Sequence, residues 1–392
     1  MHNIGRHISL LVRKRDSAKD RRRVLRSFPE WKSAQQGLPP PRPSAKRLLL
    51  IRLDDIGDYL LFRNQLRMYK NSPRWRDHRI SLLGNESWQN LFTLLDADAV
   101  DDTIWVNKNR YLLDAVYRLE IWKQLRNGGF ETVVTPSRTR PLLLDDLCML
   151  AAAPLQSIGS ANTNVHAGWN ELSDSLYSSL FVPANPLMHE FQFNGEFAQW
   201  VTGMRYSGPR PLIDHCIAPP IDGSYIVCFV GASTRSRRWP VNRWIEFIDI
   251  QRRRGAGRIF LAGNSKAEIE MVRVIQQRTG AESIAGTVTL STLLAWVAGA
   301  QAVVTNDTMA AHMGVSFDKP TVIVANGINY MRFSDYHNAG IDRVTTIYPD
   351  VLNRRRKRLG DGPYAYSETV SADIASIPAS EVAEALDALL SA

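Results

Sequence analysis

The chain has 392 residues, 44% apolar and 22% charged, which argues for two folded domains and against a fibrous or low-complexity chain. Its net charge of +9 is uneven: residues 1–47 hold thirteen Lys or Arg against three acids, leaving about −1 on the other 345 residues. No run of 18 apolar residues occurs, "TLSTLLAWVAGAQAVV" being too short and too interrupted, so no segment is expected to cross a bilayer.

In chain order the basic leader comes first. Ile4, Ile8, Leu11 and Val12 fall near helical spacing with bases behind them, which suits a helix lying on an anionic membrane through residues 1–36. A solvated arm, a transit segment and a nucleic-acid arm are the alternatives, and no nucleic-acid partner is expected. "GLPPPRPSAK" reads as a stiff linker that closes a 1–46 leader. Strand and helix patterns then alternate: "KRLLLIR" a strand, "GDYLLFRNQLRMYK" a helix, "HRISLLG" a strand, "NESWQNLFTLLD" a helix, "VDDTIWV" a strand, "YLLDAVYRLEIWKQLRNGG" a helix, "FETVVTPS" a strand. Residues 157–221 lose the alternation and read as an interdomain connection. It restarts with "SYIVCFV" and runs through "GRIFLAG", "QAVVTN" and "KPTVIVAN", each followed or preceded by a helical pattern. The expectation is α/β: two tandem doubly wound domains, 47–215 and 216–392, with a cleft between them. Cys148, Cys216 and Cys228 show neither CxxC nor metal-finger spacing, so reduced thiols in a cytoplasmic chain are expected, with no disulfide framework and no zinc site.

In such sheets ligands sit beyond the carboxyl ends of the strands, which singles out three turns. "GASTRSRRWP" offers Gly231 for close approach, the hydroxyls of Ser233 and Thr234, and the charges of Arg235, Arg237 and Arg238 beside a helix N-terminus: an anion cradle or a solvated basic turn, and not a P-loop. "TNDTMAAH" places Asp307, Thr308 and His312 at a helix start. Asp307 or Thr308 can be an ordinary N-cap and His312 a packed core residue, or the three can hold a ligand. "RLDDIGD" gathers Asp54, Asp55 and Asp58 around Gly57; spacing alone does not separate a metal site, a base and a helix cap.

Together these residues resemble glycosyltransferase family 9, the heptosyltransferases of the lipopolysaccharide inner core. RxDxIGD appears as Arg52, Asp54, Ile56, Gly57 and Asp58; GASxxx[KR]RWP as "GASTRSRRWP"; and NDTxxxH with a following KPT as Asn306, Asp307, Thr308, His312, Lys319, Pro320 and Thr321. The resemblance implies a GT-B fold and a metal-independent inverting transfer without a cofactor. It implies an ADP-activated heptose bound mainly by the second domain and a lipid-linked or phosphorylated glycan as acceptor. Asp58 matches the family's base, offered from the opposite domain; Arg52, Asp54 and Asp55 lie on the acceptor side. Ser233, Thr234 and Arg237 match the diphosphate-holding positions, Asp307 the acid that meets the donor sugar, and Thr308 and His312 the flank of the diphosphate. The implied location is the cytoplasm, peripheral on the inner membrane. Two positions depart from the family: Met309 replaces its usual glycine, and Asn64 stands where a proline is common. An epimerase on the same fold and a catalytically silent sugar-nucleotide binder are the other readings.

Overall fold

Leu48, Leu49, Leu50 and Ile51 are wholly buried in a parallel strand, Ser44–Arg52, as an unbroken apolar run requires of a strand covered on both faces. The computed structural model describes residues 31, 33–163, 167–208, 210–215, 217–328, 330–360 and 371–392. The leader to residue 30, and with it the membrane expectation, lies outside them, as does Cys216. Cys148 and Cys228 are buried free thiols.

Two α/β units result. The first has strands β1 (Ser44–Arg52), β2 (Arg79–Asn85), β3 (Asp102–Val106), β4 (Phe130–Thr135), β5 (Gln156–Ser160) and β6 (Ser179–Phe181). They form one sheet in the order β3-β2-β1-β4-β5-β6, with every pair parallel. The second has β7 (Tyr225–Phe229), β8 (Arg258–Ala262), β9 (Glu282–Ser283), β10 (Ala302–Asn306), β11 (Thr321–Val324) and β12 (Val344–Ile347). Its order, β12-β11-β10-β7-β8-β9, is the same doubly wound arrangement, again parallel throughout. In each sheet the order reverses at the first strand, beside the fourth, which is where such folds open a crevice at the carboxyl ends. The switch strands are β1 and β4 in one unit and β7 and β10 in the other. Both faces are packed: along β11, Val322 and Val324 join a cluster with Trp239, Trp244 and Phe247, while Ile323 joins Ala311, Val315 and Tyr336 in another. That is the two-residue period of a strand.

The structure differs from the sequence reading in five places; one is the helix expected over 57–70, which a 3-10 turn at Arg63–Gln65 breaks into Ile56–Phe62 and Leu66–Asn71. The stretch 157–221 contains β5 end to β6 and a helix, Glu190–Thr202; its short strands carry too few apolar residues to announce themselves. The helix expected over 111–129 is two, Lys108–Leu113 and Ala115–Asn127, because Asp114 accepts from the amides of Val116 and Tyr117 and caps the second. Residues ahead of 47 are not all leader: Trp31 and Leu38 are core residues of the first unit, and Trp31 meets Trp122 edge-on at 4.8 Å. Finally, neither unit is one continuous stretch, since Ile56–Asn64 and Asn185–Gln192 count with Ser207–Ala392 in the second unit.

Candidate active site

Asn306, the last residue of β10, is the staple of the site. Its side-chain amide donates to the carbonyls of Val230 (2.9 Å) and Gly231 (3.0 Å), and its oxygen accepts from the Trp239 amide at 3.0 Å. The loop after β7 is thereby fixed to the end of β10 across the switch point. On this frame Arg237 reaches Asp307, Nη2 lying 3.0 Å from Oδ2 and also donating to the Asp307 carbonyl. Its Nε is buried without a hydrogen-bond partner among the described residues. Burial raises the Asp307 carboxyl and the Arg237 charge opposes that rise. Ser233 and Thr234 are exposed, the Thr234 hydroxyl lying 3.5 Å from that of Ser236.

Gly231 has a packing role the motif did not suggest. A Cβ there would lie 2.0 Å from Oε1 of Glu268, so the glycine makes room for that carboxylate. Glu268 completes a capping box with Ser265, its Oε2 accepting from the Asn264 and Ser265 amides at 2.9 Å each, while Oε1 faces the loop. The S-x-x-E spelling of the box is present in the sequence; its placement beside Gly231 has no such signal.

After β10, Thr308 and not Asp307 caps the helix Met309–Ser316, its hydroxyl accepting from the Ala310 amide at 3.3 Å. His312 is buried on this helix and its Nδ1 is hydrogen-bonded to the Tyr336 hydroxyl. Burial pushes the imidazole down to about 3, with His189 and Arg237 adding to the effect. Burial also keeps Tyr336 protonated, well above its ordinary value. His312 is therefore neutral and does not trade protons near neutrality. His189 stacks on Tyr336 at 4.4 Å, with its Nδ1 accepting from the Phe191 amide and Nε2 against the Phe333 carbonyl. Next to it Glu190 is ion-paired to Arg332 at 2.9 Å. Nothing in the sequence linked 189–190 to 312 and 336.

The decisive contact joins the first and third motifs. A Cβ on Gly57 would stand 2.9 Å from His312 Cδ2, 3.3 Å from Nε2 and 3.7 Å from the Met309 Cα. The helix Ile56–Phe62 therefore lies against the helix Met309–Ser316, and Asp58, its third residue, is half-buried one position from that contact. Asp58 sits inside the helix and so is not its cap. It belongs to the same unit as the second and third motifs, whereas the resemblance implied a base from the opposite domain. Met309 is half-exposed and is not among the residues with positive φ, so no left-handed conformation calls for glycine there. Asn64 binds the Leu212 backbone through both amide atoms, at 2.9 Å each.

Arg52, Asp54 and Asp55 lie in the first unit. Arg52 is fully buried and spends its guanidinium on Asp54 (Nε to Oδ2, 2.8 Å), the Pro136 carbonyl and Asn194, bracing the ends of β1 and β4. The Asp54 carbonyl accepts from Asn85 and Trp88. Asp55 is exposed and pairs with Lys108 at 2.9 Å. Lys108 also lies in the field of Asp54 and of Asp145, a buried acid pushed up to about 7 by burial and then by Asp146. Lys108 and Asp145 were not singled out by any motif. Among the described residues no three or more His, Cys, Asp or Glu stand together as metal ligands.

Residues 204–325 match the family profile of glycosyltransferase family 9 (heptosyltransferase). The match to this family lies in residues 204–325, a segment mostly of the second unit. It places the chain among glycosyltransferases, and the matched segment contains the second and third motifs. No curated protein matches the chain. Among solved structures it is similar to a family 9 glycosyltransferase from Veillonella parvula (17% identity, 88% of this chain and 97% of that one, TM-score 0.67). It is also similar to the E. coli heptosyltransferase WaaC with ADP (18%, 88% and 99%, 0.64) and to E. coli ADP-heptose LPS heptosyltransferase II (16%, 88% and 98%, 0.59). At these identities the likeness establishes the GT-B fold of this chain.

Proposed function

We propose that this protein is an inverting glycosyltransferase that moves a sugar, heptose from an ADP-heptose donor, to a lipopolysaccharide-type or other surface-glycan acceptor. The observation that carries the reading is the seating of Gly57 against His312, which brings Asp58 to the helix whose N-terminus carries Asp307 and Thr308. ADP and heptose are suggested by the solved relatives, whose names record ADP and ADP-heptose.

In this reading the diphosphate lies at the switch point between β7 and β10. The exposed hydroxyls of Ser233 and Thr234, the guanidinium of Arg237 and the amides opening the helix Met309–Ser316 meet its charge. Glu268 Oε1, at the start of the helix after the second strand, is offered to ribose hydroxyls, as acids near that position are in dinucleotide folds. Asp307 and a neutral His312 hold the sugar and phosphate. Asp58 takes the proton of the acceptor hydroxyl as that oxygen bonds to the anomeric carbon. The bond from this carbon to the phosphate oxygen breaks, and its electron pair leaves with ADP. Arg237 and the helix amides offset the charge that develops there, the task a divalent cation performs in other transferases. Arg52, Asp54 and Asp55 are the acceptor-side residues in this reading. No resident cofactor is required, and the site of action is the cytoplasm, at the inner membrane face.

The test is ADP release from ADP-heptose followed by mass spectrometry, with ADP binding measured by calorimetry. Asp58→Asn is expected to abolish release and to leave ADP affinity within about threefold. Unchanged release by this variant removes the assigned base. ADP binding without release by the unsubstituted chain marks a binding-only protein, and an altered sugar nucleotide without ADP release marks an epimerase.

A further inference from the structure

The helix Asp350–Leu359 follows β12 and reads DVLNRRRKRL, five cations in succession. On a body that is nearly neutral outside residues 1–47, it is an island of charge. The helix has two distinct sides. Inward, Leu352 is buried and Arg356 lays its guanidinium 3.5 Å from the centre of the Tyr330 ring. Outward, Val351, Arg354, Arg355 and Arg358 form one stripe at i, i+3, i+4 and i+7 and are all exposed, with Lys357 and Leu359 exposed on its margins.

Arg354 is paired with Asp350. Arg355, Lys357 and Arg358 have no acidic partner within ion-pair distance among the described residues. Exposed arginines elsewhere are often neutralised in place: Arg79 by Asp102, Arg258 by Glu282, Arg273 by Glu270. Here, among the described residues, the three cations stay open, and Leu359 beside them shows 51% of its surface. Open cations flanked by exposed aliphatic side chains are the make-up of a helix that rests on anionic headgroups and lowers its apolar margin between them. A nucleic acid would satisfy the cations and leave Val351 and Leu359 unused.

We propose that the outward stripe of the helix Asp350–Leu359 docks this protein on an anionic lipid bilayer. The proposal does not depend on the reaction proposed for the candidate active site. In the sequence the stripe lies far from residues 1–47.

A Leu359→Cys chain carrying an environment-sensitive fluorophore tests this directly. The unsubstituted chain, with its own three cysteines, sets the labelling background. With vesicles of phosphatidylglycerol and phosphatidylcholine (3:7) the emission should shift to the blue; with pure phosphatidylcholine it should not. In the same labelled chain, R355Q/K357Q/R358Q should erase the shift. In cosedimentation it should weaken binding by roughly 10²-fold, at about a fivefold loss per cation near a charged surface. The three residues are exposed, so circular dichroism and melting temperature should not change. No shift on anionic vesicles overturns the proposal, even where the chain cosediments through its leader. A shift of equal size on phosphatidylcholine, a shift kept by the triple variant, or a shift with duplex DNA and none with vesicles does so as well.

Discussion

Gly57→Ala is the most informative single change in this protein. The added Cβ would meet His312 Cδ2 at 2.9 Å and Nε2 at 3.3 Å, so about half an ångström must be found to reach ordinary contact. The imidazole is not free to yield, because it is buried and tied at Nδ1 to Tyr336. The helix Ile56–Phe62 must therefore back away and take Asp58 with it. Misplacing a catalytic group by 1 Å costs about 10²-fold, so half of that displacement should cost roughly 10-fold in ADP release. Stability should change little, since overpacking costs about 1–3 kcal/mol and alanine in place of a helical glycine returns about 1 kcal/mol. ADP affinity should hold within about threefold. Adding Tyr336→Phe frees the ring to turn, so the double variant should lose less than the two single losses combined. Unchanged ADP release by Gly57→Ala, with the fold intact, would refute the contact or the role of Asp58.

Arg237→Ala should weaken ADP binding at least about 10-fold. It should also destabilise the fold by about 3 kcal/mol, as expected when a buried carboxylate loses its cation. The stability loss should be smaller at pH 5 than at pH 8, because burial already favours protonated Asp307; a pH-independent loss in urea melts would refute this. Asn306→Ala removes three buried hydrogen bonds and should cost roughly 3 kcal/mol; a cost below about 1 kcal/mol would show that the loop after β7 is held otherwise. Asp145, pushed up to about 7, stays protonated in the fold while the unfolded chain ionises near its ordinary value of 3.8. Its contribution to stability is therefore present at pH 4 and lost as pH rises toward 7. Asp145→Asn should flatten the fall in melting temperature over that range, and an unchanged slope would refute the burial argument. Met309→Gly should tighten ADP binding if the half-exposed side chain hinders the diphosphate; weaker binding would assign Met309 a contact instead.

Much of the fold was legible. The continuous apolar runs of β1, β7, β10 and β11 mark buried parallel strands, and their alternation with helical periods marks doubly wound sheets. Local chemistry was legible too, with Thr308 among the expected caps. The strands between 157 and 221 were not, because β6 is three residues long and a short strand carries too little pattern to distinguish. Asp114 split a helix by hydrogen bonds that a periodicity count does not register.

By itself the sequence determined which residues stand at the strand ends, since that follows from local periodicity and turn chemistry: Arg52 to Asp58, Gly231 to Arg238, Asn306 to His312. The tertiary structure decided what each of them touches. Asn306 became a staple and Arg52 a brace. Arg237 closed on Asp307, and Gly57 made room for an imidazole 255 positions along the chain, setting Asp58 beside the third motif. Such pairings arise between residues far apart in the chain, from strand order and from the space left by absent side chains. Neither has a signature within any short window of sequence.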